Sequence, residues 1–298
     1  MNPILTIAIC TFNRPELLKI CLSQIEPLLN SNVELLVIDN GTEKVDHVVK
    51  EFTSAKYFSE ENTGLSYARN RAIIESSGDW VFYIDDDAKA NKHLISTALE
   101  HCSQNHFVFG GVYLPWYHYG KPKWFKDHYA SNQQNFSTPG KLPKNEYLSG
   151  GVLAIHKKVF LEIGNFNTAL GMTGTVTGYG EESELQDRMI VANFDRFYDD
   201  KLIIEHVVAE YKLTVNWFLK SNYKRGVDMA KYQTGFKLIN VLKEFFLLII
   251  ILVLNLIEFT PKLLSKSDYF FENWRIDVFK KFSKRKGFIV QTLFPKNT

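Results

Sequence analysis

The chain has 298 residues, of which 45% are hydrophobic and 14% aromatic, and these proportions exclude an intrinsically disordered protein. The net charge of +2 conceals two regions of opposite sign. Residues 1–219 hold 20 Lys and Arg against 27 Asp and Glu, a net charge of −7, whereas residues 220–298 hold 15 against 6, a net charge of +9. Because the basic residues are concentrated at the far end of the chain, away from the polar motifs, nucleic acid is not an expected partner.

The three cysteines, Cys10, Cys21 and Cys102, are odd in number and lack metal-ligand spacing. This usage is typical of a reducing compartment. The first residues also lack the basic segment and the long apolar run of a signal peptide. We therefore expect a catalytic region on the cytoplasmic side.

Apolar strands alternate with helices through most of the chain. Strands are predicted at residues 4–10, 33–38, 80–84 and 107–113, and helices at 15–29, 45–52, 65–77 and 92–102. Residues 114–147 lose this pattern and are rich in aromatic and polar side chains. A strand at 148–155, a helix at 157–163, a Gly- and Thr-rich loop at 171–180, a helix at 181–193 and a strand at 202–206 then follow. Such alternation favours parallel pairing in a doubly wound α/β sheet.

Polar clusters follow three of the predicted strands. Residues 11–14 (Thr-Phe-Asn-Arg) follow the first strand, Asp39-Asn40 follows the second, and Asp85, Asp86 and Asp87 follow the strand at 80–84. In open α/β sheets, ligands bind beyond the carboxyl ends of the strands. Their convergence at one sheet edge predicts a binding site.

The three consecutive aspartates, Asp85, Asp86 and Asp87, repel one another, and their unpaired burial would be costly. A divalent cation would relieve that repulsion, since hard cations prefer oxygen ligands. The alternative is an acidic turn or a helix N-cap, where Asp is favoured.

Six motifs in this order and spacing resemble those of a family 2 glycosyltransferase of the GT-A fold. They are residues 10–15 (CTFNRP), 37–41 (VIDNG), 61–70 (ENTGLSYARN), 84–87 (IDDD), 149–151 (SGG) and 180–185 (GEESEL). The resemblance extends from Ile7 to about Gly226. It implies a GT-A (Rossmann-like) α/β fold, with a mixed, mostly parallel sheet flanked by helices. It also implies a catalytic domain at 1–226, with a nucleotide-sugar half at 1–113 and an acceptor half at 114–226.

The resemblance implies a nucleotide-sugar site at the strand ends. Thr11, Asn13 and Arg14 would help to cradle the nucleotide. Asp39 would accept a hydrogen bond from the base, for which a uracil N–H is suited, so a UDP-sugar is the favoured donor. Guanine and thymine also present an N–H, so GDP- and dTDP-sugars are the alternatives.

The motif at residues 61–70 is expected on the phosphate side of the donor. Asn62 and Gly64 precede a helix whose N-terminal dipole favours phosphate. Arg69, one turn further on, would reach the base or the diphosphate. The alternative for Arg69 is a solvated helix residue.

The three aspartates are expected to bind both the ribose and the metal. By the resemblance, Asp86, together with Asp85, would hold the ribose, and Asp87, with Asp85, would coordinate Mn²⁺ or Mg²⁺. His206 matches a position that supplies a further metal or phosphate contact; the alternative is a structural histidine. The cation would offset the charge that develops on the diphosphate leaving group.

The resemblance places the general base at Glu181-Glu182, at the start of a predicted helix. The family usually has Glu-Asp here, with the second carboxylate as base, so Glu182 is the first candidate and Glu181 the second. The alternative is ordinary acidic enrichment in a first helical turn. Gly150, Gly151 and Trp116 are expected on the acceptor and sugar side.

These roles predict transfer of a hexosyl or N-acetylhexosaminyl group to an acceptor hydroxyl by a single displacement that inverts the anomeric centre. The acceptor would be a glycan or a lipid-linked molecule, as in synthesis of cell-surface polysaccharide. A nucleotidyltransferase of related fold is one alternative, but it would want a Gly-rich loop after the first strand. A non-catalytic sugar- or nucleotide-binding protein is another, but it would not need both carboxylate sites.

The last part, residues 227–298, is predicted to be a helical tail that associates with a membrane surface at its cytoplasmic face. Its apolar run at 245–257 has 13 residues with Asn255 inside. That length is short of the roughly 20 residues that span a bilayer. Basic residues flank the run on both sides, which favours a segment that dips into the membrane or lies on it. The alternative is a buried core helix.

Overall fold

The computed structural model describes residues 3–176, 178–232 and 238–295, which divide into two compact units. The first unit comprises residues up to 116, then 127–176 and 181–207. The second comprises 117–126, the described part of 177–180, and residues from 208 onward. Thr177 of the predicted Gly- and Thr-rich loop, and residues 233–237 and 296–298 of the predicted tail, lie outside the described residues.

The described part of the first unit contains nine strands and six helices. The strands are β1 (Leu5–Thr11), β2 (Val33–Asp39), β3 (Ala55–Ser59), β4 (Trp80–Asp85), β5 (Ala88–Ala90), β6 (Val108–Trp116), β7 (Gly140–Lys141), β8 (Val152–His156) and β9 (Arg196–Val207). The helices are α1 (Pro15–Ile25), α2 (Asp46–Val49), α3 (Leu65–Glu75), α4 (Leu94–Ser103), α5 (Lys157–Ile163) and α6 (Glu181–Val191).

All nine strands form one mixed sheet in the order β3-β2-β1-β4-β8-β6-β9-β5, with β7 paired to β9. The pairs β1–β2, β1–β4, β2–β3 and β6–β9 are parallel. The pairs β4–β8, β6–β8, β5–β9 and β7–β9 are antiparallel. The prediction of a mostly parallel sheet is therefore wrong for the half beyond β4. A strand such as β8, buried along its whole length, has the same apolar pattern in either direction.

Apolar side chains cover both faces of the sheet. Successive residues of β1 point to opposite faces, so Ile7 and Ile9 join one core cluster and Ala8 joins the other. The first cluster packs against α1 and α4, and the second against α3, α5 and α6. Helices on both faces confirm the predicted doubly wound α/β architecture.

Three short strands were missed in the sequence. β3 carries Lys56 in its interior and is only half-buried, and β5 and β7 have three and two residues. β9 begins six residues before the predicted strand and includes the polar pair Asp199-Asp200. Apolar periodicity is weak in each case, and pairing with neighbouring strands decides the conformation.

The second unit is built on three helices, α7 (Val215–Tyr232), α8 (Leu238–Ser265) and α9 (Phe271–Leu293). Helices α7 and α9 cross closely at Gly226 and Gly287; a Cβ at Gly226 would lie 1.8 Å from the carbonyl oxygen of Lys284. Asn255 of α8 is buried, and its amide donates hydrogen bonds to the carbonyl oxygens of Asp277 and Val278 on α9. The predicted tail is thus helical where it is described. Among the described helices, none combines the length and the apolar character needed to cross a membrane.

Candidate active site

The carboxyl ends of three parallel strands meet in a row. In the sheet register, Thr11 of β1 lies beside Asp39 of β2, and Cys10 of β1 lies beside Asp85 of β4. The polar clusters that follow these strands therefore share one edge of the sheet, as predicted.

Asp86 is held from the β1 side. Thr11 donates a hydrogen bond from Oγ1 to Asp86 Oδ2 at 2.7 Å, and Arg14 donates to Asp86 Oδ1 at 3.0 Å. Arg14 also contacts Asp87 Oδ2 at 3.1 Å. Burial, together with the charges of Asp87 and Asp85, raises the pKa of Asp86 to about 6, against the opposing effects of Arg14 and Thr11. Asp86 is thus a buried, oriented carboxylate; its contact to a ribose stays a prediction.

Asp85, Asp87 and His206 form a candidate metal centre. One ligand atom from each residue lies within 4.8 Å of the others. His206 Nε2 is 3.0 Å from Asp87 Oδ1 and 3.4 Å from Asp85 Oδ2. Burial opposes ionisation of Asp85, but the hydrogen bond and charge of His206 outweigh it and lower the pKa of Asp85 to about 2. The carboxylate of Asp85 thus stays ionised, as a cation ligand must.

Backbone pairing brings His206 to the aspartates. In the antiparallel pair β5–β9, Ala88 faces His206, and the amide of Val207 donates to the carbonyl oxygen of Asp87. His206 Nδ1 lies 2.8 Å from the carbonyl oxygen of Val207, which can only accept, so Nδ1 carries a proton. The other ring nitrogen, Nε2, then faces the carboxylates of Asp85 and Asp87. Its contact with them is favourable if it carries a second proton or if a cation lies between the nitrogen and the carboxylates.

The donor set fits a hard divalent cation. Asp87 Oδ1 is buried and, among the described residues, has no aligned hydrogen-bond donor; His206 lies close to it without hydrogen-bond geometry. An unsatisfied buried carboxylate oxygen is costly unless something unseen binds it. Two carboxylates and an imidazole are ordinary ligands for Mn²⁺, and the carboxylates for Mg²⁺.

Gly150 and Gly151 allow the backbone to pack closely against the side chains of Arg69 and Asp85. A Cβ at Gly151 would lie 2.2 Å from Asp85 Oδ2, and one at Gly150 would lie 2.6 Å from a guanidinium nitrogen of Arg69. Both positions therefore require glycine for packing. The predicted acceptor contacts of Gly150 and Gly151 stay predictions.

Glu181 and Glu182 begin α6 in a second acidic cluster. Glu181 Oε1 accepts a hydrogen bond from Arg69 at 2.9 Å, and the exposed fractions of these two residues are only 5% and 4%. Oε2 of Glu181 and Oε2 of Glu182 are buried without a described hydrogen-bond donor. Burial, and then the charge of Glu182, raise the pKa of Glu181 to about 8, although Arg69 opposes the shift. A proton on Glu181 would supply the missing donor, leaving one ionised carboxylate in the pair.

The guanidinium of Arg69 is held by other side chains of the protein. Arg69 is buried against Glu181, with its guanidinium 5.4 Å from the ring centroid of Phe166 and 5.8 Å from that of Tyr83. It lies there because Arg69 shares the buried face of α3 with Ala68 and Ala72. The predicted contact of Arg69 to the base or the diphosphate stays a prediction.

The start of α3 does not support the predicted phosphate contact at Gly64. The amide of Gly64 donates to Asn40 Oδ1, and the amide of Leu65 donates to the carbonyl oxygen of Met172. A helix N-terminus binds an anion through free amides, and these two are taken. Asn40 also donates to the carbonyl oxygen of Asn62, whose own side chain is exposed. Asn40, which the sequence placed in the polar cluster after the second strand, thus joins that strand end to the start of α3.

Asp39 is fully buried and already satisfied by the protein. Its carboxylate accepts hydrogen bonds from the amides of Gly41 and Val45 and from the hydroxyl of Tyr57, at 2.8–2.9 Å. Asn13 adds two bonds to the same segment, to Thr42 and Glu43. A direct contact from Asp39 to a base would require residues 41–45 to move, so that role stays a prediction.

Trp116 is the last residue of β6, and the side chain of Lys89 from β5 packs over its ring. The Lys89 ammonium lies 3.7 Å from the Trp116 ring centroid, a cation–π distance. The predicted acceptor contact of Trp116 therefore stays a prediction.

Comparison with known proteins gives a family match over the first part of the chain. Residues 6–164 match the family model described as "Glycosyl transferase family 2". The chain is 25% identical over 203 residues to a glucosyl-dolichyl phosphate glucuronosyltransferase from Haloferax volcanii, covering 64% of each protein. It is 24% identical over 200 residues to a GalNAc(5)-diNAcBac-PP-undecaprenol beta-1,3-glucosyltransferase from Campylobacter jejuni, covering 61% of this chain and 58% of that one. The chain thus spans less than two thirds of the length of these relatives.

Solved structures share the fold at low sequence identity. A mannosyltransferase from Pyrobaculum calidifontis, in complex with GDP-Man and Mn²⁺, superposes with a TM-score of 0.64 at 14% identity. That superposition covers 100% of this chain and 89% of the other. GalNAc-T7 with UDP, GalNAc and Mn²⁺ superposes with a TM-score of 0.55 at 13% identity, covering 76% and 48%. The likeness confirms the predicted GT-A-like mixed α/β fold.

Proposed function

Because this chain belongs to glycosyl transferase family 2, we propose that it transfers a sugar from a nucleotide diphospho-sugar to an acceptor hydroxyl, as a hexosyl- or N-acetylhexosaminyltransferase. One observation carries the proposal: the first unit holds both an Asp-Asp-His cluster suited to a divalent cation and a buried glutamate pair at a helix start. The cluster suits a diphosphate leaving group, and the pair suits proton removal from an acceptor.

On the donor side, Asp85, Asp87 and His206 would hold Mn²⁺ or Mg²⁺. When bound, the cation offsets the negative charge that gathers on the diphosphate. Arg14 bridges Asp86 and Asp87 and keeps the two carboxylates oriented. With Thr11 on its other oxygen, Asp86 is presented in one orientation to a ribose hydroxyl.

On the acceptor side, Glu182 is the proposed base. It lies beside Glu181 at the helix start and is less buried. Glu181 is held by Arg69, and the raised pKa of Glu181 keeps a proton on that residue near neutral pH, so Glu182 is the member of the pair that is left to act as base. The acceptor hydroxyl gives its proton to Glu182 as its oxygen attacks the anomeric carbon, opposite the diphosphate. A single displacement of this kind inverts the anomeric configuration.

For the substrates, we propose a UDP-sugar donor and a glycan or lipid-linked acceptor. The carboxyl oxygens of Asp39 suit a uracil N–H, provided that residues 41–45 move away from them. The names of two relatives mention dolichyl phosphate and PP-undecaprenol, which supports a lipid-linked acceptor met at the cytoplasmic face of a membrane. The proposed catalytic domain is 1–226, with the donor half at 1–113 and the acceptor half at 114–226.

A binding screen followed by product analysis tests this function. UDP-, GDP- and dTDP-sugars would each be added with Mn²⁺, and the unfolding temperature measured, since a ligand of the folded state raises it. We expect UDP-sugars to give the largest rise. NMR of the glycoside product should show an inverted anomeric centre. No rise with any nucleotide sugar would reject the donor class, and a retained configuration would reject the single displacement.

A further inference from the structure

Helix α8 exposes an unusually long row of large apolar side chains. Phe246, Ile250, Val253 and Ile257 have exposed fractions between 48% and 66%, and Leu242 and Leu264 extend the row at its ends with 46% and 85%. Their spacing of three, four or seven residues puts all six on one side of the helix, called here the outward face. Exposed apolar patches of this extent mark interaction sites.

The opposite side of α8 is occupied by α9 over most of its length. Glu244 pairs with Arg285 near the start of α8, and Asn255 donates to carbonyl oxygens of α9. These two polar side chains of α8 thus face α9, on the side of the helix away from the outward face. With one side covered by α9, α8 can meet an apolar phase only along its outward face, with its axis parallel to the surface.

The charges around the outward face favour an anionic partner. The two acidic residues within 242–264 are neutralised, since Glu244 pairs with Arg285 and Glu258 pairs with Lys262 at 2.9 Å. Lys243 and Lys266 are exposed at the two ends of the helix. Residues 220–298 together carry the net charge of +9. Basic residues beside an apolar helix face are the complement of anionic lipid headgroups.

A second copy of the chain fits this face less well. A two-stranded helical contact needs only a narrow apolar seam with charges beside it, whereas exposed apolar side chains flank the outward face on both sides, at Ile249 and Leu254 with exposed fractions of 47% and 57%. Helix α8 also contains no Gly or Ala, whereas the close α7–α9 contact depends on Gly226 and Gly287. Large, flexible apolar side chains without small neighbours suit a lipid surface.

We propose that the outward face of α8 lies on an anionic lipid bilayer, with the helix axis along the membrane plane and its apolar side chains among the lipid chains. This inference deepens the proposed function, because it would bring the enzyme to a lipid-linked acceptor. It can fail separately, however, since vesicle binding requires neither donor sugar nor metal.

Sedimentation of the full-length chain with vesicles tests the inference. One set of vesicles is equimolar phosphatidylglycerol and phosphatidylcholine, and the other is phosphatidylcholine alone. The wild-type chain should bind the anionic set more tightly, and added salt should weaken that binding. The double substitution Ile250→Glu and Ile257→Glu should raise the lipid concentration needed for half-maximal binding by about tenfold or more.

The matched control is the double substitution Leu161→Glu and Val191→Glu. These side chains of the first unit are 86% and 82% exposed, and the change in charge is the same. The control should bind vesicles nearly as the wild-type chain does. A second test pair, Lys266→Glu and Lys286→Glu, changes only exposed basic residues and should weaken binding to the anionic vesicles alone.

Four results would overturn the inference. They are no vesicle binding by the wild-type chain, unchanged binding by the Ile250 and Ile257 variant, equal binding of the wild-type chain to neutral and anionic vesicles, and a dimer in light scattering that this variant loses. The last would assign the outward face to a second copy. Unfolding temperatures of the variants separate lost binding from lost folding.

Discussion

The two acidic clusters of the first unit use the same chemical group in opposite electrostatic surroundings. Asp85 and Asp87 lie beside His206, and Arg14 contacts Asp87 from the β1 side. Glu181 has one cation, Arg69, and is buried beside a second carboxylate, Glu182. The pKa of Asp85 is accordingly lowered to about 2, whereas that of Glu181 is raised to about 8.

The difference shows that nearby cations and burial, and not residue type, set the pKa of each carboxylate and therefore the chemistry that each cluster can perform. A carboxylate that stays ionised at any working pH can hold a cation. A pair that keeps one proton near neutral pH can exchange protons with a substrate. Four substitutions test whether the two clusters differ in this way.

The largest effect is expected from Asp87→Asn, which removes charge from the cation cluster at almost constant volume. Turnover should fall by about a thousandfold or more, because the charge on the leaving group is no longer offset. The rise in unfolding temperature caused by Mn²⁺ in the wild-type chain should also disappear.

Asp195→Asn is the control for that loss. Asp195 forms a half-exposed ion pair with Lys141, so its variant should keep both the activity and the Mn²⁺ response. If Asp87→Asn kept the Mn²⁺ response, Asp87 would not be a metal ligand.

Glu182→Gln should lower kcat by about 10²–10⁴-fold, because the amide cannot take the acceptor proton. Donor binding, measured by thermal shift with nucleotide sugar and Mn²⁺, should be unchanged. Glu184→Gln in the same helix, which disturbs only the pair with Arg188, is the matched control. Equal activity of the two variants would remove Glu182 from the mechanism.

Arg69→Gln should destabilise the fold by about 3–5 kcal/mol, since it leaves a buried carboxylate pair without its cation. Denaturant unfolding would measure this loss. The loss should grow as pH rises above about 8, because Glu181 then ionises in the wild-type chain and only Arg69 compensates that charge. Arg71→Gln, which breaks a partly exposed pair with Glu75 in the same helix, should cost less than about 1 kcal/mol. Similar losses for both would mean that the buried pair contributes little.

The smallest effect within any one pH unit is a slope in the free energy of unfolding that Glu181→Gln should remove. Between pH 4.5 and 8, the folded wild-type chain keeps the Glu181 proton that the unfolded chain has lost. Its free energy of unfolding, relative to that of the variant, should therefore fall with rising pH by up to about 1.4 kcal/mol per unit. Above pH 8 the two curves should run in parallel. Parallel curves over the whole range would show that Glu181 is already ionised.

Part of the site was predictable from the sequence because it depends on residues that are neighbours along the chain. Thr11, Asp39 and the three aspartates follow strands whose apolar runs are visible in the sequence, and parallel pairing brings their ends together. The direction of β8, the short strands β3 and β5, and the partner of Arg69 were not predictable in this way. Each depends on neighbours distant in the chain, and Arg69 and Glu181 are 112 residues apart.

By itself, then, the sequence determined which chemical groups the protein carries and which of them end a strand or begin a helix. Periodicity and the order of the motifs are local properties, so they are readable without coordinates. Only the tertiary structure decided which carboxylate meets which cation, which amides of α3 are already occupied, and which side of α8 stays uncovered. Desolvation and hydrogen-bond partners depend on packing between segments that are distant in the chain. For this reason carboxylates form a candidate cation site at Asp85–Asp87 and a pair that holds a proton at Glu181-Glu182.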